Sequence, residues 1–216
     1  MVLREKVYGV LRERIIRGEY RPGEPLNEKE IIEELQVSRT PFREAINALH
    51  QEKLVQIFAN RGIFVREITA RDLADGFEVR FLLEPHASAQ LCRTAPVPML
   101  QELADSTRAA LDGSYQDMMR EDERYHRMLL DRIANRHLAD IMSGLYAQNQ
   151  MQIAMFDNAA RGLYSENRRA AVEESLREHL AILECMIRGD EAGTEETTRA
   201  HLEGARRRAM ALPEIH

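Results

Sequence analysis

The 216-residue sequence predicts a mainly α fold in two parts: a head of three helices and a small β-hairpin wing over residues 1–68, and an all-α antiparallel bundle of six helices over 69–216. Three observations lead there. Apolar residues recur at helical spacing through most of the chain, strand-like runs are confined to residues 54–66, and the charge divides near the same point. Residues 1–69 hold 12 Lys+Arg against 11 Asp+Glu, whereas 70–216 hold 18 against 25, so the second part carries the whole acidic excess behind the net charge of −6. An acidic body does not exclude a nucleic-acid partner, because a local cluster of Arg and Lys is enough to neutralise phosphates.

The composition, 44% hydrophobic and 31% charged without tryptophan, is that of a globular protein with enough chain for two modest cores. No stretch approaches the run of about 18 apolar residues that a membrane span needs, and Met1-Val-Leu-Arg-Glu-Lys mixes charges where a secretory signal would be basic and then apolar. A cytoplasmic protein is expected. Cys92 and Cys185 lie far apart in helix-like sequence, which suits reduced, buried thiols.

In the head, Leu3, Val7, Val10, Leu11 and Ile15 mark a helix that Gly18 closes, and Arg21-Pro-Gly-Glu-Pro25 is a turn-rich break. Asn27 then caps a short helix from Glu28 to about Leu35, with Ile31, Ile32 and Leu35 facing inward. Ser38 caps a third, with Pro41 in its first turn and Phe42, Ala45, Ile46 and Leu49 as its buried stripe. Strand-like runs at Leu54–Phe58 and Ile63–Arg66 flank a loop at Ala59-Asn-Arg-Gly62. Helix, helix, turn, helix, hairpin is the order of a winged helix-turn-helix.

Beyond Ile68 the pattern is helical. Thr69 and Asp72 form a capping-box pattern that opens a helix to about Arg93; Pro96 and Pro98 start the next; Ser114 with Asp117 caps one carrying Met118, Tyr125, Met128 and Leu129. Asn135 caps a fourth, Ser165 a fifth that runs to Gly189, and the sixth spans about Asp190 to Leu212.

Ser38, Arg39, Thr40, Arg43 and Asn47 fall on the outward, N-terminal positions of the third helix, where a recognition helix meets DNA. Arg39 and Arg43 are one turn apart, so both forks reach toward guanine O6 and N7, while the Ser38 and Thr40 hydroxyls suit phosphate oxygens. Lys29 on the preceding helix and Arg61 at the hairpin tip are placed for the flanking backbone or minor groove. An isolated pair of arginines would read as a solvated helix face; within a complete helix-turn-helix and wing it reads as a DNA contact. The motifs Ile16-x-Gly18-x3-Pro22-Gly23-x2-Leu26-x-Glu28, Val37-Ser-Arg-Thr-Pro41-x-Arg43-Glu-Ala-Ile46-x2-Leu49, Leu54-Val55 and Arg61-Gly62-x2-Val65 resemble the N-terminal domain of the GntR superfamily of regulators. That resemblance implies DNA-contacting positions for Lys29, Arg39, Arg43, Arg61 and Gly62. It also shows two departures, Gln36 and Lys53 where the family has glycine, each costing about 1 kcal/mol if the backbone there needs positive φ.

Asp122 and His126, four apart on one helix, project side by side, and His179 and His201 follow on later helices. One carboxylate and three imidazoles can hold zinc, nickel or another divalent transition metal, although a lone histidine is more often a surface or satisfied core residue. His50, His86, His137 and His216 take that ordinary reading. Asp122-x2-Tyr125-His126, Asn135-x2-Leu138, Glu178-His179-x2-Ile182-Leu183 and Gly189-Asp190-x7-Thr198-x2-His201-Leu202 resemble the FCD domain of the FadR subfamily, and six helices suggest its VanR-like branch. The resemblance implies that Asp122, His126, His179 and His201 are metal ligands and that Arg80 faces a small carboxylate effector. Arg80 pairs equally well with Glu84 one turn on. Asn149 is expected to add a hydrogen bond to the effector. The reading is a homodimeric regulator whose affinity for a palindromic double-stranded operator responds to a small organic acid. The other readings are a metal-dependent hydrolase, which lacks an obvious general base beside the ligands, and a regulator whose metal is structural or is itself the signal.

Overall fold

A computed structural model of the chain describes residues 3–160 and 165–211, which form two compact units. Unit 1 holds residues 3–73 with 143–160, and unit 2 holds 74–142 with 165–211.

Unit 1 is the winged head. Helix α1 (Leu3–Ile16) buries Val7, Leu11 and Ile15, and Gly18 ends it at φ 69°. Leu3 belongs to the same apolar stripe yet is exposed, one turn before the core begins. Helix α2 (Glu28–Leu35) is capped by Asn27, whose Oδ1 accepts from the amides of Lys29 and Glu30 at 3.1 and 3.4 Å. Helix α3 (Arg39–Gln51) buries the expected Phe42, Ala45, Ile46 and Leu49; Ser38 holds the cap position with extended backbone but makes no side-chain cap bond. The wing is strand β2 (Val55–Phe58) antiparallel to strand β3 (Gly62–Val65), with Val55 opposite Val65 and Phe58 opposite Gly62. A third strand, β1 (Pro25–Leu26), pairs with β3 through Pro25 opposite Phe64, where the sequence shows only a turn-rich break. Proline is tolerated there because β1 is the sheet edge and Pro25 its first residue.

The head core also takes Ala147 and Met151. Both lie on helix α7 (Arg136–Ala160), whose residues from 143 on belong to this unit. Arg12 joins that stretch to the rest, donating to Glu52 at 3.0 Å and to Ser143 Oγ at 3.4 Å.

Unit 2 is helical: α4 (Ala70–Thr94, from residue 74 on), α5 (Val97–Leu111), α6 (Tyr115–Arg132), the start of α7, α8 (Ser165–Ile187) and α9 (Glu191–Met210). Six helices thus follow the wing among the described residues. Both arms of the capping box form at Ser114 and Asp117, and at Thr69 and Asp72; Asn135 caps α7 and Asp190 caps α9. The caps expected of Ser165 and the end expected at Leu212 lie outside the described side chains. Helix α8 packs on α5, α6 and α9. Helix α4 continues through Pro85, which has no N–H for the Phe81 carbonyl; Arg199 of α9 donates to that oxygen instead, at 3.1 Å. Among the described residues Cys92 and Cys185 are free thiols, the first half-buried and the second buried, and no helix is long and apolar enough to cross a membrane.

Gln36 and Lys53, the two departures from glycine, adopt φ of 53° and 59°. A Cβ in the left-handed region costs about 1–2 kcal/mol, part of which glycine returns through its looser unfolded chain. Gln36→Gly and Lys53→Gly should therefore each stabilise the protein by up to about 1 kcal/mol, a rise of roughly 2–4 °C in Tm for a chain of this size. Thermal melts check this, and a lowered Tm in both variants would show that the side chains contribute more than the backbone loses.

Candidate nucleic-acid interface and metal centre

The head presents one exposed polar face built by the local sequence. Because α3 buries positions 42, 45, 46 and 49, its remaining positions turn outward, and Ser38, Arg39, Thr40, Arg43 and Asn47 are all exposed. Lys29 on α2 and Arg61 and Gly62 at the wing are exposed as well. Arg39 is held only loosely, 3.7 Å from Glu28, with its side chain 79% exposed. Arg61 stacks over the Phe58 ring at 5.9 Å, and Phe58 meets Phe64 edge-on, so the wing arginine rests on an aromatic support that the sequence reading did not assign.

In unit 2 the structure gathers all four residues that the sequence singled out as metal ligands. Asp122 and His126 come from α6, His179 from α8 and His201 from α9. Ligand atoms of the three imidazoles lie within 4.8 Å of one another, and the Asp122 carboxylate is 3.5 Å from His126 Nδ1 and 3.7 Å from His179 Nδ1. Tyr125 stacks on His179 with ring centroids 3.8 Å apart, which fixes that imidazole's plane. His126 Nδ1 lies 2.8 Å from the Asp122 carbonyl, to which it donates, leaving Nε2 to act as an acceptor or ligand. His179 is fully buried, yet neither of its ring nitrogens has a hydrogen-bond partner among the described residues, and neither has Nε2 of His201.

Charge and burial set Asp122, His179 and His201 in a ligating state. Burial disfavours the Asp122 anion, but His126 and His179 beside it and the Ser175 hydroxyl, 3.0 Å away, outweigh that and hold its pKa well below the usual carboxylate range. Burial, reinforced by neighbouring His201, pushes His179 well below an ordinary imidazole, and burial also lowers His201 against the pull of Glu178. His126 moves up, since the Asp122 charge overrides its burial. An anionic carboxylate beside the neutral imidazoles of His179 and His201 is a donor set that a borderline divalent ion accepts, and the orphaned buried nitrogens of those two rings are what such an ion would satisfy.

Arg80 stands on α4 with its side chain 4% exposed, Nε 2.8 Å from one Glu84 oxygen and Nη2 3.4 Å from the other. Of the two roles open to it in the sequence, the pairing with Glu84 is the one observed. Asn149 lies on the stretch of α7 that belongs to unit 1, where it is half-buried. His50, His86 and His137 are exposed, and His216 lies outside the described residues. Glu178, which appears in the sequence reading only as part of the FCD-like motif and without a role, and Arg208 complete the surroundings of His201. Adjacency hid Glu178: neighbouring helix residues point about 100° apart, so Glu178 turns away from its neighbour His179 and toward α9.

A winged helix-turn-helix head with exposed basic residues on its third helix, followed by a helical second domain, defines a DNA-binding transcription regulator. The chain belongs to the GntR family of bacterial regulatory proteins with an FCD domain: the gntR family model matches residues 3–65 and the FCD domain model residues 75–204. It is 28% identical over 205 residues to the HTH-type transcriptional repressor RspR of Escherichia coli (strain K12), covering 92% of this chain and 85% of that one. It is 26% identical over 199 residues to the HTH-type transcriptional regulator YdhC of Bacillus subtilis (strain 168), covering 90% and 85%. Its fold matches a GntR transcriptional regulator from Rhodococcus sp. RHA1 with a TM-score of 0.74 over 99% of this chain and 100% of that one, at 23% identity.

The depressed pKa of His179 makes a prediction about acid. A folded pKa below the unfolded value of about 6.5 means the unfolded chain takes up the proton first, so stability is full above about pH 6.5 and falls as pH drops below it. Metal-free wild type should lose urea resistance between about pH 7 and 5 more steeply than His179→Gln, which has no proton to take up. A variant as acid-sensitive as wild type would show that His179 is not strained in this way.

Proposed function

We propose that this regulator binds a palindromic operator as a homodimer and that a small carboxylate, bound beside a divalent transition metal, zinc by first choice, sets its affinity for DNA. Asp122, His126, His179 and His201 would hold the metal, which when bound supplies a Lewis-acid anchor for a carboxylate. The observation that carries the reading is the convergence of three imidazoles, in which both ring nitrogens of His179 and Nε2 of His201 are buried without partners among the described residues, beside an ionised Asp122. Arg80 would offer the second anchor, since its planar fork suits a carboxylate; Glu84 now occupies that fork, and an incoming acid would compete with it. Lys29, Ser38, Arg39, Thr40, Arg43, Asn47, Arg61 and Gly62 form the DNA-contacting set, with Arg39 and Arg43 reading bases and the rest placing the head on the backbone and minor groove.

Arg39→Ala and Arg43→Ala should each weaken operator binding by about 1–3 kcal/mol and relax base preference without lowering Tm, because neither side chain enters the core. Fluorescence anisotropy on an operator selected by the wild-type chain measures this. Full affinity in both variants would remove α3 from base reading.

Effector control is tested on the same complex with a panel of small carboxylates, using chain loaded with zinc and chain stripped by chelator. At least one acid should shift operator affinity in the loaded chain, typically 5- to 150-fold for coupled sites, and fail to do so in the stripped chain. A shift of equal size in both would separate the acid from the metal. A response to zinc with no acid present would make the metal itself the signal.

A further inference from the structure

His201 cannot present Nε2 to a metal unless its proton stays on Nδ1, and one residue outside the ligand set is built to keep it there. Glu178 Oε2 lies 2.8 Å from His201 Nδ1. A carboxylate only accepts, so Nδ1 must donate and the lone pair must sit on Nε2, the buried atom with no partner. The carboxylate is itself clamped: Arg208 donates from Nη1 to Oε1 at 2.9 Å and from Nη2 to Oε2 at 2.6 Å, a two-point fork that fixes the plane of the acid. Arg208 and His201 outweigh burial to keep Glu178 ionised.

Gly204 supplies the space for this arrangement. It lies on α9, buried, one turn from both His201 and Arg208, and a Cβ built on it would collide with Glu178 Oε1 and come within 2.9 Å of Arg208 Nη1. Its helical backbone needs no positive φ, so conformational freedom does not account for glycine here; the passage of a carboxylate across the helix does. Glycine in a helix interior costs about 1 kcal/mol relative to alanine, a cost that the passage of Glu178 explains.

We propose that Glu178, locked by Arg208 across Gly204, is a positioning residue that sets the tautomer and ring orientation of His201 for metal binding. The inference rests on the metal reading above for its purpose but not for its first observable, which exists in the metal-free chain. An ordinary salt bridge between α8 and α9 would link Glu178 to Arg208 equally well, and would place no demand on the His201 proton.

The test uses the full-length, chelator-stripped chain in three forms: wild type, Glu178→Gln and Gly204→Ala. In Glu178→Gln, Arg208 has only donors and so claims the amide oxygen, turning the NH2 group toward His201 and driving its proton to Nε2. In Gly204→Ala, Glu178 keeps its chemistry but is displaced from His201 by the new methyl group. Side-chain ¹⁵N–¹H NMR of the metal-free chain reads the tautomer, and zinc titration against a chromophoric chelator reads affinity. Wild type should carry the His201 proton on Nδ1, both variants should lose that preference, and zinc affinity should fall about 10- to 100-fold in each. A wild-type proton on Nε2, or variants with the wild-type tautomer and zinc affinity, would overturn the proposal. If wild type takes up no zinc, the metal reading fails while the tautomer still decides the role of Glu178. If Gly204→Ala does not fold, Glu178→Gln decides alone.

Discussion

Unit 2 packs three imidazoles against one another, and two of them, His179 and His201, bury ring nitrogens that no group among the described residues satisfies; much of the domain's construction follows from that burden. An unsatisfied buried polar atom costs about 1–3 kcal/mol, and His179 alone presents two. The surrounding helices contribute groups that hold the cluster in one arrangement: Tyr125 stacks on His179, Ser175 bonds Asp122, and Glu178 bonds His201. The buried Arg80–Glu84 pair sets a second demand on the same unit, because two charges sealed from water are tolerated only while each keeps the other. A core that carries this much polar chemistry is poorly suited to stability for its own sake. It is well suited to a binding centre, where an ion supplies the missing contacts.

The head is built on the opposite principle. Past Leu3 its apolar stripes close, with Leu11, Phe42, Leu49 and Leu54 fully buried, and the basic residues of α3 and the wing tip stand outside with few commitments. Arg39 makes one long contact with Glu28, and Arg61 rests on Phe58. Side chains with weak internal bonds lose little when they turn to phosphates or base edges, so a closed core and an uncommitted basic face together suit DNA recognition. Residues 143–151 of α7 add to this core through Ala147 and Met151, so the head draws on the chain well beyond the wing.

Local signals were legible because they need no distant partner. Asn27, Ser114 with Asp117, and Asn135 cap the helices they were expected to cap, and the stripe of α3 is buried as its spacing requires. Features that depend on a remote neighbour were not. Strand β1 is two residues long, too short for any periodicity, and exists because β3 offers it a free edge. Leu3 obeys the helical spacing but extends past the core that would cover it. Ala147 and Met151 announce a buried face without saying what it packs on. The same division holds at the site. The four-residue spacing of Asp122 and His126 was readable, whereas His179 and His201 drew their meaning from resemblance to the FCD domain. Glu178 stood in the FCD-like motif, but its role could not be read, since its partners His201 and Arg208 lie a helix away.

The central claim is that four side chains from three helices converge on one divalent ion, and X-ray absorption at the zinc edge of the zinc-loaded chain tests it most directly. The account predicts a first shell of nitrogen and oxygen only, with the outer-shell scattering of three imidazoles, zinc–nitrogen distances of about 2.0–2.1 Å and a carboxylate oxygen at about 2.0–2.2 Å. A sulfur shell, or fewer than three imidazoles, would place the ion elsewhere and contradict it.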